Sequence, residues 1–379
     1  MLMEFAGRWF TSFGSMLLEQ NGRHVRGTYG PGGTENVLQG TIADDALNFR
    51  YEEAMEKGTG WFRLKRLGSF AGEYAAEGSP HPLPWQGWRE FEGYWETTVG
   101  RMRLVQEGAQ VRGFLEFDSA GVLEGRTDDR GRLAITFKGT RVNATGFLEL
   151  DPLCHALTGE WHEPGHQMHA WRGQRALARR GLTWLAVLEA HWQRSLDEVE
   201  YDFGSMLREI FGRLPNALVR HRFFHDEDSL IHWCRQLLFL PEPTILVVTG
   251  HGETEGLSVN GRIVDMRRMV DNLRLADSLR LLHFSSCLVG QDTGRTLSLA
   301  PFPISGYTTR VDWAASALGE FIYLDMMLEK GLPPSAAAEQ LLKLVRFTGD
   351  EEIPGSPYPP AGFRFFSPSR PPPQPAASA

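Results

Sequence analysis

The sequence predicts a chain in two parts: an all-β antiparallel meander or barrel made of two repeats, then an α/β sandwich built on a mostly parallel sheet. Three observations predict it. One segment recurs at an offset of about 86 residues, the period-2 texture stops near residue 181, and a β–α–β unit occupies Thr244 to Gly290. The boundaries that follow are 3–173 for the repeats, 174–181 for a short basic linker, 182–366 for the α/β part and 367–379 for a disordered Pro/Ala-rich tail.

In the repeat, Gly14 to Gly22 lies over Gly100 to Gly108, and Val25-Arg26-Gly27 over Val111-Arg112-Gly113. Leu38-Gln39-Gly40 then matches Leu123-Glu124-Gly125, and Gly72-Glu73-Tyr74 matches Gly159-Glu160-Trp161. Within each copy, alternation such as Met16, Leu18, Gln20 against Leu17, Glu19 marks half-buried strands. Turn signals including Asn21-Gly22 and Asp128-Asp129-Arg130-Gly131 fall every eight to twelve residues. Closure into a barrel removes exposed edges, so each copy is expected to supply half of one barrel.

Trp9, Phe10, Trp61, Phe62, Tyr94, Trp95 and Trp161 are expected to fill the barrel interior and seams, with a ligand cavity as the competing reading. Cys154-His155, followed by His162, His166 and His169, has the ligand types of a zinc site. The first repeat offers only His81 nearby, so no metal and no cofactor are expected.

A net charge of −8 on 379 residues argues against a nucleic-acid partner, and no apolar run reaches membrane-span length. The segment MLMEFAGRWF lacks a signal-peptide pattern. Three scattered cysteines are too few for a disulfide framework, and a reducing cytoplasm is the expected location.

The second part begins with a strand over Leu182–Leu188 and a helix over Glu198–Arg213, broken by Pro215-Asn216. A strand over Ala217–Phe224 follows. Asp226 to Ser229 carry N-cap chemistry for a helix over Leu230–Leu240. Strands over Thr244–Thr249 and Leu279–Ser285 flank a crossover helix over Asp265–Leu275. A strand over Ile304–Val311, helices over Ala314–Lys330 and Ser335–Phe347, and a proline-rich loop over Asp350–Ala361 complete it.

Parallel strands end at one edge of the sheet, and ligand sites form outside those ends. The strand TILVVT leads into His251, and the strand LRLLHFS leads into Cys287, so a histidine and a thiol meet at that edge. An imidazole beside a thiol takes its proton and makes it a nucleophile. Cys154 and Cys234 suit ordinary core positions better.

These two stretches, TILVVTGHG and LRLLHFSSC, together with SGYTTRVDWAASALGEFIYL, resemble the caspase-like (clan CD) cysteine peptidases, nearest to the CHAT subgroup with its separase-like members. The resemblance covers roughly residues 182–350. It implies a cysteine endopeptidase with His251 as general acid/base, Cys287 as nucleophile and the Gly252 N–H in an oxyanion hole with that of Cys287. It also implies a protein substrate and a place in bacterial defence or signalling. Asp312, next to Trp313, and Glu189 are the candidates for pairing with an Arg or Lys of the substrate, while Asp312 equally suits the N-cap of the following helix. The β repeats are expected to take an activating protein or a small ligand. The rival expectation is an inactive caspase-like scaffold. A serine hydrolase using Ser285 or Ser286 is weaker, since no G-x-S-x-G elbow surrounds them.

Overall fold

A computed structural model describes residues 4–64, 68–79, 82–128, 131–191, 197, 202–294 and 300–367. The chain divides into two compact units, Met1–Ala176 and Leu177–Ala379.

In the first unit, β1 to β8 run over Gly7–Thr11, Gly14–Asn21, His24–Gly30, Asn36–Ala43, Ala46–Glu52, Lys57–Leu64, Ser69–Ala76 and Leu83–Arg89. They form one closed antiparallel barrel, sealed by β1 against β8. β9 to β16 run over Gly93–Thr97, Gly100–Glu107, Gln110–Leu115, Asp118–Thr127, Leu133–Lys138, Asn143–Leu150, Ala156–His162 and His169–Ala176, and they close a second barrel through β16 and β9. Each repeat is therefore a whole barrel, where the sequence reading expected half of one. Alternate residues supply each interior: Met16, Leu18, Val25 and Leu38 in the first, Met102, Leu104, Val111 and Leu123 in the second.

The duplication extends to the locks on the barrels. The Trp9 indole N–H donates to the Phe5 carbonyl at 2.8 Å, and Trp95 repeats this with Phe91 at 3.0 Å. Arg89 donates to the carbonyls of Ala6 and Glu4, and Arg175 donates to those of Glu92 and Glu90. The first interior is solid: Trp85 meets the rings of Phe13, Tyr29, Phe49 and Phe62 at centroid distances of 4.8 to 5.6 Å. Trp9, Phe62 and Trp95 are buried as expected of filler, whereas Trp61 is on an outward position, half-buried.

In the second unit, β17 (Thr183–Ala190), β18 (Ala217–Phe224), β19 (Thr244–Thr249), β23 (Leu279–Ser285), β24 (Ile304–Tyr307) and β25 (Phe363–Phe366) form one sheet in the order β18-β17-β19-β23-β24-β25. Five strands are parallel, and β25, which the sequence reading assigned to no element, runs antiparallel at the edge. Between β19 and β23 sits a further small sheet, β20 (His251–Glu253), β21 (Gly256–Val259) and β22 (Arg262–Ile263).

Helices α1 (Phe203–Phe211), α4 (Trp313–Leu328) and α5 (Pro334–Leu344) share one core with Leu185, Val187, Ile245, Val247 and Leu281. The intervening residues Leu188, Leu246, Val248, Leu282 and Phe284 are equally buried on the other face, where α2 (Glu227–Gln236) packs on β18 and on α3 (Met266–Leu273). Side chains alternate across a strand, so burial on both faces produces the near-continuous apolar runs seen in sequence. Asp226 and Asp265 cap α2 and α3, which fixes where each crossover enters its helix. The expected helix start at Glu198 lies outside the described residues. Among the described residues no helix is long and apolar enough to cross a membrane.

Candidate active site at the sheet edge

Thr249 and Ser285 are register partners in β19 and β23. His251 and Cys287 each follow two residues later, so both leave adjacent parallel strands at the same level. They line one cleft of about 380 Å³ together with Gly252, Ser286, Arg310 and Trp313. The approach is close enough to forbid a side chain at 252. A Cβ there would lie 1.8 Å from the Cys287 carbonyl oxygen and 3.0 Å from its nitrogen. The glycine after the histidine thus lets the His251 strand press its backbone onto that of the cysteine.

Cys287 is held by its surroundings. The Val311 N–H donates to Sγ at 3.4 Å. Leu288, immediately after it, has φ of 60°, a left-handed conformation that costs a branched-chain residue energy and is retained where the surroundings enforce it. What enforces it is visible: the Leu288 N–H donates to Thr309 O at 3.1 Å, and the Gln291 amide donates to Thr308 O at 2.6 Å. On its other side the 308–309 segment is tied to Gly362 and Pro360. The proline-rich loop thus reaches the sheet edge beside Cys287 through its last residues.

Of the backbone N–H groups that follow Cys287, two are already used, Leu288 on Thr309 and Val289 on the Cys287 carbonyl. The Cys287 N–H itself has no acceptor among the described residues. Ser286 is 3% exposed and its hydroxyl lacks a hydrogen-bond partner while lining the cleft.

The other two cysteines differ in kind. Cys154 and Cys234 are fully buried, and burial raises both thiols above their ordinary range, Cys234 to about 12. The ligand atoms of Cys154, His155, His162, His166 and His169 do not converge on a common point.

Neither residue expected to read the substrate lines the cleft. Asp312 is the N-cap of α4 and accepts the Ala315 N–H at 3.0 Å. Glu189 is fully buried, accepts the N–H groups of Phe203 and Gly204 at 3.1 and 2.8 Å, and sits 2.9 Å from His221 Nε2. Asp202 lies 3.4 Å from the other ring nitrogen of His221. Glu189, His221 and Asp202 therefore cluster behind the cleft wall formed by Phe203, where the two carboxylates accept the N–H groups that open α1 while His221 Nε2 makes no hydrogen bond of good geometry among the described residues.

Arg310 and Trp313 are the residues that sequence reasoning passed over. Arg310 is exposed, lines the cleft and has no ion-pair partner among the described residues. Trp313 is 41% exposed at the same cleft. Arg310 precedes the Val311 that holds the thiol and Trp313 follows it by two residues, and that nearness in sequence was the available signal. Comparison with known protein families and with characterised proteins gives no match to this chain.

Proposed function

We propose that the second unit is a cysteine endopeptidase acting through His251 and Cys287. The observation that carries this reading is the level exit of both residues from β19 and β23 into one cleft, with the Gly252 backbone against that of Cys287. The caspase-like resemblance of TILVVTGHG and LRLLHFSSC points the same way.

In this mechanism His251 accepts the thiol proton and Sγ attacks the scissile carbonyl carbon. The carbonyl oxygen, now an oxyanion, takes hydrogen bonds from the Cys287 and Gly252 N–H groups. Collapse breaks the C–N bond, and His251 returns its proton to the leaving amine. Water, deprotonated by His251, then hydrolyses the thioester and frees Sγ. Arg310 and Trp313 border the substrate's side chain, so an acidic residue suits this cleft better than the basic one that Asp312 or Glu189 would have selected. The two barrels of the first unit recruit or regulate the peptidase.

Profiling with a library of internally quenched peptides tests both parts. Cleavage that disappears with Cys287→Ala, and favours Asp or Glu in a manner lost with Arg310→Gln, is the expected result. Cleavage by Cys287→Ala protein would overturn the mechanism, and a basic preference would overturn the selectivity.

A further inference from the structure

The outer face of the first barrel carries a groove of about 1170 Å³ unrelated to the peptidase cleft. Its floor is two rows of side chains crossing the strands. His24, Thr41, Asn48, Trp61 and Glu73 are consecutive register partners from β3 to β7. Beside them Arg26, Gln39, Arg50 and Thr59 make a second row. At ~4.8 Å per strand the longer row spans about 19 Å.

The groove has a cause in the sequence. Gly40 and Gly60 sit between the members of the two rows and face inward. A Cβ at 40 would meet the Asn48 carbonyl at 2.2 Å, and one at 60 would meet the Phe49 ring at 2.5 Å. The sheet therefore sinks onto Phe49 where those side chains are missing.

We infer that this groove binds a neutral oligosaccharide. Its charges balance, with Glu19 and Glu73 against Arg26 and Arg50, and Glu19 already paired with Arg26 at 2.8 Å. A polyanion such as a nucleic acid would require a basic excess. Every strand of the barrel is paired on both sides, which leaves no edge for an added peptide strand. What the groove does offer is an indole face among amide, hydroxyl and carboxylate groups. Gln39, Asn48, Arg50 and Glu73 make no side-chain hydrogen bond among the described residues. Planar amides and carboxylates match vicinal hydroxyls, and the C–H face of a pyranose stacks on indole.

The second repeat serves as an internal contrast. At the positions of Asn48 and Trp61 it has Ala134 and Phe147, also register partners, and the Arg132 guanidinium covers the Phe147 ring at 3.4 Å. In the first barrel Arg63 stands 5.7 Å from the Trp61 ring.

Titration of the full chain with cellohexaose, chitohexaose and maltohexaose, followed by calorimetry and tryptophan fluorescence, tests the inference. At least one of these sugars binds at millimolar concentration or below. Trp61→Ala weakens that binding by about tenfold or more, Trp61→Tyr retains it, Asn48→Ala weakens it, and Phe147→Ala leaves it unchanged. Because Trp61 is on the outer face, Trp61→Ala keeps the melting temperature, and Asn48→Ala gives an independent reading if it does not. Failure of all three sugars to bind, survival of binding in Trp61→Ala, or preference for a heparin hexasaccharide overturns the inference. None of these readouts depends on Cys287.

Discussion

Replacing Gly252 by alanine separates the histidine from the thiol without touching either. The new Cβ would lie 1.8 Å from the Cys287 carbonyl oxygen, where ordinary contact begins at 3.4 Å. The β20 backbone must therefore retreat by about 1.6 Å (3.4 − 1.8), taking the adjacent His251 with it. A misplacement of ~1 Å costs on the order of 10²-fold in rate, or about 2.7 kcal/mol of transition-state stabilisation. The expected outcome for Gly252→Ala is a fall in kcat/KM of about 10²-fold or more, carried by kcat. Gly252 pairs with the buried Leu257 of β21, so the retreat also lowers the melting temperature, and turnover is compared at a temperature where the variant is folded. The assay pairs steady-state cleavage of the best library peptide with a thermal melt. Wild-type turnover in a folded Gly252→Ala protein would refute the close-approach argument.

Asp312→Ala removes the N-cap of α4 and should cost about 1 kcal/mol in a denaturant titration, with the substrate's side-chain preference unchanged; an altered preference would return Asp312 to the pocket. Glu189→Leu leaves the Phe203 and Gly204 N–H groups without their acceptor behind the cleft, and each buried group left unpaired costs about 1–3 kcal/mol in the same measurement; a change below about 1 kcal/mol would contradict the cluster's structural role. The hydrogen bond from Arg101, with its charge, holds the Glu116 carboxyl below its ordinary value of 4.5. Its contribution is complete above that ordinary value and is lost as pH falls through the lower folded value, so unfolding midpoints should drop in acid, and less steeply in Arg101→Met. An identical acid slope in both proteins would remove Glu116 from the account.

Much of this architecture is legible in the residues, for reasons that also explain the gaps. β18, β19 and β23 read correctly to the residue because strands buried on both faces are uninterrupted apolar runs bounded by turn residues. The duplication was equally plain, but its strand count was not taken from it. Turn signals every eight to twelve residues across an 86-residue repeat already imply about eight strands, a whole barrel per copy. The recurrence of Arg89 as Arg175 marked the closure of each barrel. The β20–β22 sheet lies in a segment to which the sequence reading gave no element, although Asn260-Gly261 signals a hairpin. β25 hid because FRFF is too short to show a period. His251, Gly252 and Cys287 reach the cleft because their positions follow from strand ends. Asp312 and Glu189 do not, because a carboxylate's sequence position cannot separate a cap or buried pair from a substrate contact. Arg310 belongs to an irregular segment whose direction only tertiary hydrogen bonds decide, and Trp313 is the first residue of α4, whose start that segment sets.

Competitive alkylation of the three cysteines measures the central claim most directly. Iodoacetamide at neutral pH, with peptide mass spectrometry of the native chain, should modify Cys287 far ahead of the buried Cys154 and Cys234, and His251→Ala should slow Cys287 while leaving the other two unchanged. Equal rates at the three thiols, or a Cys287 rate indifferent to His251, would contradict the dyad.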